Sequence, residues 1–501
     1  MTDPDVQSRG AHLFHGANVI PMSVGFNNKT DPESVRDPQE PVVLVCGVDE
    51  HGGATLGAAH HVDVVVNRSN DESVHLAVGV RPDQFDVVVV AHGPSLPRSA
   101  PYLLGLHIGY SHGGFDCAPR GIRGWKKGPE MNFGFSEEQD ELRKMVKRFL
   151  DDKSPESEVR RLMATREGYD AAVWRQMADE LALQGLGIPE EFGGQGYGPV
   201  ELYVVFEEMG AALLCAPYFA TVALASNALL NCGDDVAKKS YLPAIASGET
   251  IATLAVTNDA GSPDLDDAGV TATKTADGYT LSGVKNYVID GNVASLILVS
   301  ATTSEGLSLF AVEASASGLT RTALPTMDQT RKQSRLEFAA TPATLIGTAG
   351  AAKAGLERTL QVACAALAAE QVGGAQRVLN NAVEYAKNRV QFGRPIGSFQ
   401  AIKHKCADML LDVESAKSAA YYAAWAAQED NDELAIAASL AKSFCSEAYF
   451  HCAAENIQIH GGIGFTWEHH AHLYFKRAKS SELLLGDPAY HRELLAQRLG
   501  I

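Results

Sequence analysis

The sequence predicts an α+β protein built from three successive parts, helical, then β, then helical, behind a dissimilar leading stretch. Three observations carry this reading. Apolar residues recur at helical spacing from 131 to about 250, and alternate with period two from 251 to 347. They return to helical spacing in an Ala-rich run from 348 to 501. A chain of 501 residues has the length to bury a core in each part. The units are therefore 131–250, 251–347 and 348–501, with 1–130 as an N-terminal extension.

The extension differs in composition. Nine of the sixteen histidines fall in it. Its valine runs, such as 87–90, resemble strands but are broken by Gly, Pro, Asp and Ser clusters. Lacking a sustained period, it reads as a disordered leader or as an upstream start that is never translated; a small accessory domain is the other reading.

At Met131 the character changes. Ser136, with Gln139 three residues on, fits a capping box. Leu142, Met145, Val146, Phe149 and Leu150 follow at helical spacing. The longest uncharged run, 209–233, is interrupted by Pro217 and diluted by Cys215, Thr221, Ser226 and Asn227. It reads as two core helices with a break rather than a membrane span. In the middle part, 270–274, 279–281, 295–299, 307–312 and 335–338 read as strands, and Asp277-Gly278 as a hairpin turn.

Composition narrows the function classes. A formal net charge of −19 repels phosphate backbones and argues against a nucleic-acid partner. The eight cysteines form no CxxC pair and show no metal-ligand spacing, which suggests reduced thiols in a cytoplasmic protein. No basic-then-apolar segment opens the chain, and no membrane insertion is expected. His469, His470 and His472 invite a metal reading, but with no nearby Cys and only short spacing they read as surface or interface residues, and no metal is expected.

Four motifs bear on chemistry. The glycine-rich stretch 192–198 follows no strand and has no Lys-Ser/Thr, so it reads as a tight connection between helices, not a phosphate loop. Arg389-Val390-Gln391-Phe392-Gly393 ends a long helical pattern, and an Arg fork there matches a diphosphate. Gln458 beside Gly461-Gly462 combines an amide with a backbone that a ligand can approach closely. Thr257 to Ser262 opens the β part with hydroxyls and backbone N–H groups suited to a flavin edge or a thioester.

Taken with Gly187-Ile188-Pro189-Glu190-Glu191-Phe192-Gly193-Gly194, Pro395-Ile396-Gly397-Ser398-Phe399-Gln400 and the segment from Gln458 to Phe465, these motifs resemble the acyl-CoA dehydrogenases over 131–501. The resemblance implies an N-terminal helical domain, a middle β-barrel-like domain and a C-terminal four-helix bundle. It implies FAD held between subunits of a homo- or hetero-tetramer, an acyl-CoA substrate, and an electron-transfer flavoprotein as acceptor. The implied reaction is α,β-dehydrogenation of the thioester, with proton abstraction at Cα and hydride transfer from Cβ to flavin N5. By the same resemblance Arg389 and Phe392 touch the neighbouring subunit's FAD, and Gln458, Gly461 and Gly462 its ADP half. Thr257, Ser262, Tyr287 and Ile289 lie near the isoalloxazine and the acyl-CoA.

Departures fall on the chemistry. The family's two base positions map to Leu485 and Ala363, neither of which takes a proton. Its flavin-N5 threonine maps to Ile289, its shielding Trp to Tyr287 and a substrate-site Arg to Cys364. Glu370, two helical turns from Ala363, and Asp487 and Glu482, which flank Leu485, are the substitute bases, with Asp487, one residue past Gly486, preferred over Glu482. A buried Glu370 would have a raised pKa suited to proton transfer, or would be a structural hydrogen-bonded residue; Asp487 would otherwise be a helix cap. The function expected is FAD-dependent acyl-CoA dehydrogenation. The alternatives are a base-deficient partner subunit of a heteromeric dehydrogenase, or a non-catalytic acyl-CoA-binding scaffold.

Overall fold

The computed structural model describes residues 135–501, apart from Asp277 and 430–432, together with the backbone of five short strands nearer the N-terminus. Those strands are β1 (Asn67–Arg68), β2 (Val74–His75), β3 (Val80–Arg81), β4 (Gln84–Val88) and β5 (Gly105–Ile108). β1 pairs with β2, and β3, β4 and β5 form a three-stranded antiparallel sheet. Val87 and Val88 of the expected valine strand fall in β4. The remainder of 1–134 lies outside the described residues, and so does its reading as a leader.

The N-terminal helices begin where local chemistry says they should. α1 (Glu137–Lys153) opens with the expected capping box: Gln139 N donates to Ser136 Oγ, and Ser136 N to the Gln139 side chain. α2 (Glu156–Met163), α3 (Ala171–Asp179, capped by Asp170) and α4 (Pro199–Ala211, with proline in its first turn) follow. The long uncharged run splits as its proline predicts. α4 ends at Ala211, and after Pro217 a π-helical stretch, Phe219–Ser226, leads into α5 (Asn227–Cys232) and then α6 (Asp235–Ala246).

The middle part is a barrel-like sheet of β6 (Ala252–Ala255), β7 (Val270–Thr275), β8 (Gly278–Ile289), β9 (Leu296–Thr303), β10 (Gly306–Glu313), β11 (Leu319–Ala323) and β12 (Gln333–Ile346). β10 pairs with both β12 and β9, and β12, β8, β7 and β9 are linked in turn, so the ring closes. Thr275 faces Gly278 across the hairpin read from Asp277-Gly278. Two strands were not legible. β6 is buried at all four positions and so shows no alternation, whereas β11 is mostly exposed and polar.

The C-terminal part is built on three long helices, α7 (Ala352–Asn388), α8 (Gln400–Gln428) and α9 (Leu434–His460). A hairpin, β13 (Val390–Gln391) and β14 (Arg394–Pro395), separates the first two. A 3-10 turn, Gly461–Phe465, leads to α10 (Ala471–Leu483) and α11 (Pro488–Leu499). α4 crosses α7 at glycines. A Cβ on Gly210 would stand 1.9 Å from Glu370 O, and one on Gly373 1.7 Å from Glu207 O. Among the described residues no helix is long and apolar enough to cross a membrane.

Candidate active site

Between α7, α11 and the 263–266 loop lies a cleft of about 400 Å³. Cys364, Leu485 and His491 are buried and form its inner wall, while Asp264, Asp266, Lys353 and Glu357 are exposed at its rim. Leu485 has φ +61°, an uncommon conformation for a branched residue. A chain of hydrogen bonds holds it there. Arg498 Nη1 donates to Ser439 Oγ at 2.6 Å, and Ser439 Oγ lies 3.4 Å from His491 Nδ1. His491 Nε2 lies 3.0 Å from Leu485 O. A proton on Nε2 satisfies both contacts of the ring. From the other side, Lys442 Nζ donates to Glu482 O at 3.0 Å and Gly486 O at 2.8 Å.

The electrostatics of this wall are those of a closed interior. Burial, helped by Lys442, pushes His491 down to about 4, so the imidazole is neutral near pH 7. Burial pushes the Cys364 thiol up to about 11 and Lys442 down to about 8. A thiol, a neutral ring and a leucine therefore form the inner wall, and none of them is a carboxylate. Asp487 caps α11, accepting from Tyr490 N at 2.8 Å, the capping role considered from the sequence.

Of the two readings of Glu370, the raised pKa is not found. Its burial alone favours the neutral acid, but the guanidiniums of Arg331 and Arg477 outweigh that and hold it below the usual carboxylate range. Arg331 Nη2 donates to Glu370 Oε1 at 2.6 Å, and Arg477 Nη1 to the same oxygen at 2.8 Å. Arg477 also donates to Asp328 Oδ2 at 2.9 Å. Glu370 thus ties α7 to α10 and to the loop before β12. Arg331 and Arg477 gave no sequence signal, because their partners come from 39 and 107 residues away. Ala363, the other base position, is fully buried in the apolar core.

The residues at the barrel's edge form one local group. Thr257 Oγ1 donates to Asn286 O, and the loop folds back through Asn258 N to Ser262 O and Ser262 N to Asn258 Oδ1, both 3.0 Å. Tyr287, at φ +54° and half exposed, lays its ring against Gly261, where a Cβ would meet it at 2.8 Å. Ile289 is buried in the sheet, and its carbonyl accepts from Thr253 Oγ1.

A second group sits where α7 and α9 end. Tyr385 and His460 stack at 4.2 Å, which places the Arg389 hairpin beside the Gly461 turn. Phe392 and Gly393 both have positive φ in the two-residue turn, and Phe392 is 90% exposed. Arg389 and Gln458 are exposed. A Cβ added to Gly393, Gly461 or Gly462 would meet nothing within 4 Å. An exposed guanidinium, an amide and an open glycine backbone are what the diphosphate of FAD requires, so these residues fit that group. The two groups share no side-chain hydrogen bond or ring contact.

His469 stacks against His470 at 4.5 Å and lies 4.4 Å from His460, while His472 packs on Trp467. Among the described residues no three His, Cys, Asp or Glu side chains are grouped to hold a metal. Cys215, Cys232, Cys364, Cys406, Cys445 and Cys452 are free thiols; Cys46 and Cys117 lie outside the described residues.

Comparison with known proteins agrees with this geometry. Residues 136–249 match the acyl-CoA dehydrogenase N-terminal domain, and 352–500 match the C-terminal domain. Acyl-CoA dehydrogenase IpdE2 of Mycobacterium tuberculosis is 36% identical over 359 residues, 72% of this chain and 95% of that protein. Acyl-CoA dehydrogenase FadE27 of the same organism is 31% identical, over 71% of this chain and 95% of that protein. Among solved structures, the Tcur3481-Tcur3483 steroid ACAD G363A variant is 32% identical with TM-score 0.67, covering 73% of this chain and 98% of that one. A chain of the ChsE4-ChsE5 complex from Mycobacterium tuberculosis is 29% identical with TM-score 0.68, covering 74% and 99%. The chain belongs to the acyl-CoA dehydrogenases, a family of FAD-dependent oxidoreductases.

Proposed function

We propose that this chain is the base-deficient subunit of a two-chain acyl-CoA dehydrogenase, in which a related chain supplies the carboxylate that takes the α-proton. One observation carries the reading. The turn that presents residue 485 to the cleft is fully braced by His491 and Lys442, yet it carries leucine. The substitutes considered from the sequence have other partners: Glu370 two arginines, Asp487 the helix cap and Glu482 the Lys479 ammonium at 2.8 Å. The solved Tcur3481-Tcur3483 and ChsE4-ChsE5 relatives are named as pairs, which supports a second chain here.

In this reading the chain's part is to bind and orient. FAD, when bound, supplies the hydride acceptor. Arg389 pairs with its diphosphate across the subunit boundary, and Phe392 packs on it. Gln458, Gly461 and Gly462 admit the ADP half. Thr257, Ser262, Tyr287 and Ile289 border the ring system and the thioester. The substrate is an acyl-CoA, with a steroid side-chain type acyl group suggested by the relatives. The acceptor is an electron-transfer flavoprotein, the assembly a heterotetramer and the compartment the cytoplasm. The units 131–250, 251–347 and 348–501 serve this assembly, and 1–130 is an extension to it.

The test is co-expression with a related dehydrogenase chain that keeps the base, followed by co-purification and measurement of flavin content. A stable yellow complex supports the reading. A chain that never associates with such a partner and carries flavin stoichiometrically by itself refutes it.

A further inference from the structure

A second cleft, of about 250 Å³, opens where α2 and the ends of α1 and α4 meet α7 and α10. We propose that it binds a small organic carboxylate, with Arg377 as the anion's partner. Arg377 Nε donates to Ala211 O at 3.2 Å in the last turn of α4. Arg377 also hydrogen-bonds the Tyr474 hydroxyl, but among the described residues no carboxylate forms an ion pair with the guanidinium, so its charge borders the cleft without an anionic partner. Asn381 lies one turn along α7 on the same face. Its Nδ2 is 3.0 Å from His470 Nε2, which leaves its second N–H available.

The acids on the wall are already engaged. Glu156 accepts from Arg160 Nε at 2.7 Å and faces His470 Nδ1 at 3.2 Å. Asp151 is paired with Lys147 at 2.8 Å. Arg160 also carries a buried Nη2 with no hydrogen-bond partner. The first turn of α2, at Pro155 and Glu156, opens onto the cleft without a side-chain cap. Counting partners, the cleft has one uncompensated positive charge.

That balance selects the ligand. A carboxylate brings one negative charge and matches an arginine fork in two hydrogen bonds. A phosphate dianion would add a second charge facing Glu156 and Asp151, with only one guanidinium to offset it. Leu150, Leu213 and Leu473 line the rest of the cleft and accept a short apolar body. The volume lies near the lower end of small-ligand sites, so the body is short. The site uses no residue of the flavin or base arrangement and does not depend on that reading.

Titration calorimetry of the full chain with sodium hexanoate, and with sodium phosphate as control, tests this. Saturable hexanoate binding is expected, weakened at least about tenfold by Arg377→Gln, as for loss of a charged hydrogen bond. Glu156→Gln removes a like charge and tightens binding, a change that is read independently of how the Arg377 variant folds. No hexanoate binding, equal binding in Arg377→Gln, unchanged binding in Glu156→Gln, or phosphate bound as tightly as hexanoate would each overturn it.

Discussion

At the scale of single residues, His491 and Asp290 make opposite contributions to stability across one pH range. His491 titrates near 4 when folded, against an ordinary 6.5. The unfolded chain takes up a proton there that the folded one refuses, so this contribution is present above pH 6.5 and is lost as pH falls toward 4. Burial lifts Asp290 from 3.8 to about 7, partly offset by Arg331 and Arg477. The folded chain keeps that proton while the unfolded one releases it, so this contribution is present below the ordinary value and is lost as pH rises through 7. The two amount to at most about 3 and about 4 kcal/mol respectively. Relative to wild type, His491→Asn should fare better at pH 4.5 than at pH 7, and Asp290→Asn better at pH 7 than at pH 4.5. Urea denaturation at the two pH values reads both, and shifts independent of pH would contradict them. Glu370→Gln leaves Arg331 and Arg477 short of a buried partner and should cost about 3–5 kcal/mol. Asp487→Asn keeps a capping oxygen and should change stability by less than about 1 kcal/mol. The sequence located Glu370 in an apolar helix but not its partners, since a loop residue and a residue on another helix meet it only after the chain has folded.

At the scale of elements, the two site groups differ in how they are held. The Arg389 hairpin and the Gly461 turn are open. Phe392 accepts a positive φ, a conformation that costs on the order of 1–3 kcal/mol outside glycine, to project its ring outward. Phe392→Gly should therefore leave thermal stability unchanged or slightly raised while weakening flavin retention. Thermal melts and the 450 nm absorbance of the purified complex check both; retained flavin would remove Phe392 from the site. Arg389 has no ion pair among the described residues, so Arg389→Ala should lose flavin without lowering the melting temperature by more than the assay error. The Gly461 turn and the start of α1 were legible because local signals specify them, a glycine pair beside Gln458 and a serine with Gln139 three residues on. The sequence marked Arg389 to Gly393 only as the end of a helical pattern and not as a hairpin. β6 and β11 were not legible, because one is buried on both faces and the other on neither. The brace of Arg498, Ser439 and His491 was equally hidden, since its parts are 52 and 59 residues apart and meet only when α9 and α11 pack.

At the scale of the molecule, the proposed role turns on Leu485, a residue that takes no proton. The helical, barrel and helical parts follow the order that alternating periodicity foretold, and the turn at Leu485, on the inner wall of the cleft at α7 and α11, is braced by His491 and Lys442. Among the described residues the buried inner wall, Cys364, Leu485 and His491, carries no carboxylate. The residues proposed to face the flavin divide between the barrel edge and the ends of α7 and α9, with no side-chain hydrogen bond or ring contact joining them, which suits a cofactor shared between chains. The measurement that bears most directly on this account is the visible spectrum during anaerobic addition of acyl-CoA, for the chain alone and for its complex with a base-bearing relative. The account predicts no bleaching of the lone chain and rapid bleaching of the complex. A lone chain that is yellow and bleaches fully would show that it carries its own base, and the partner-subunit reading would fall.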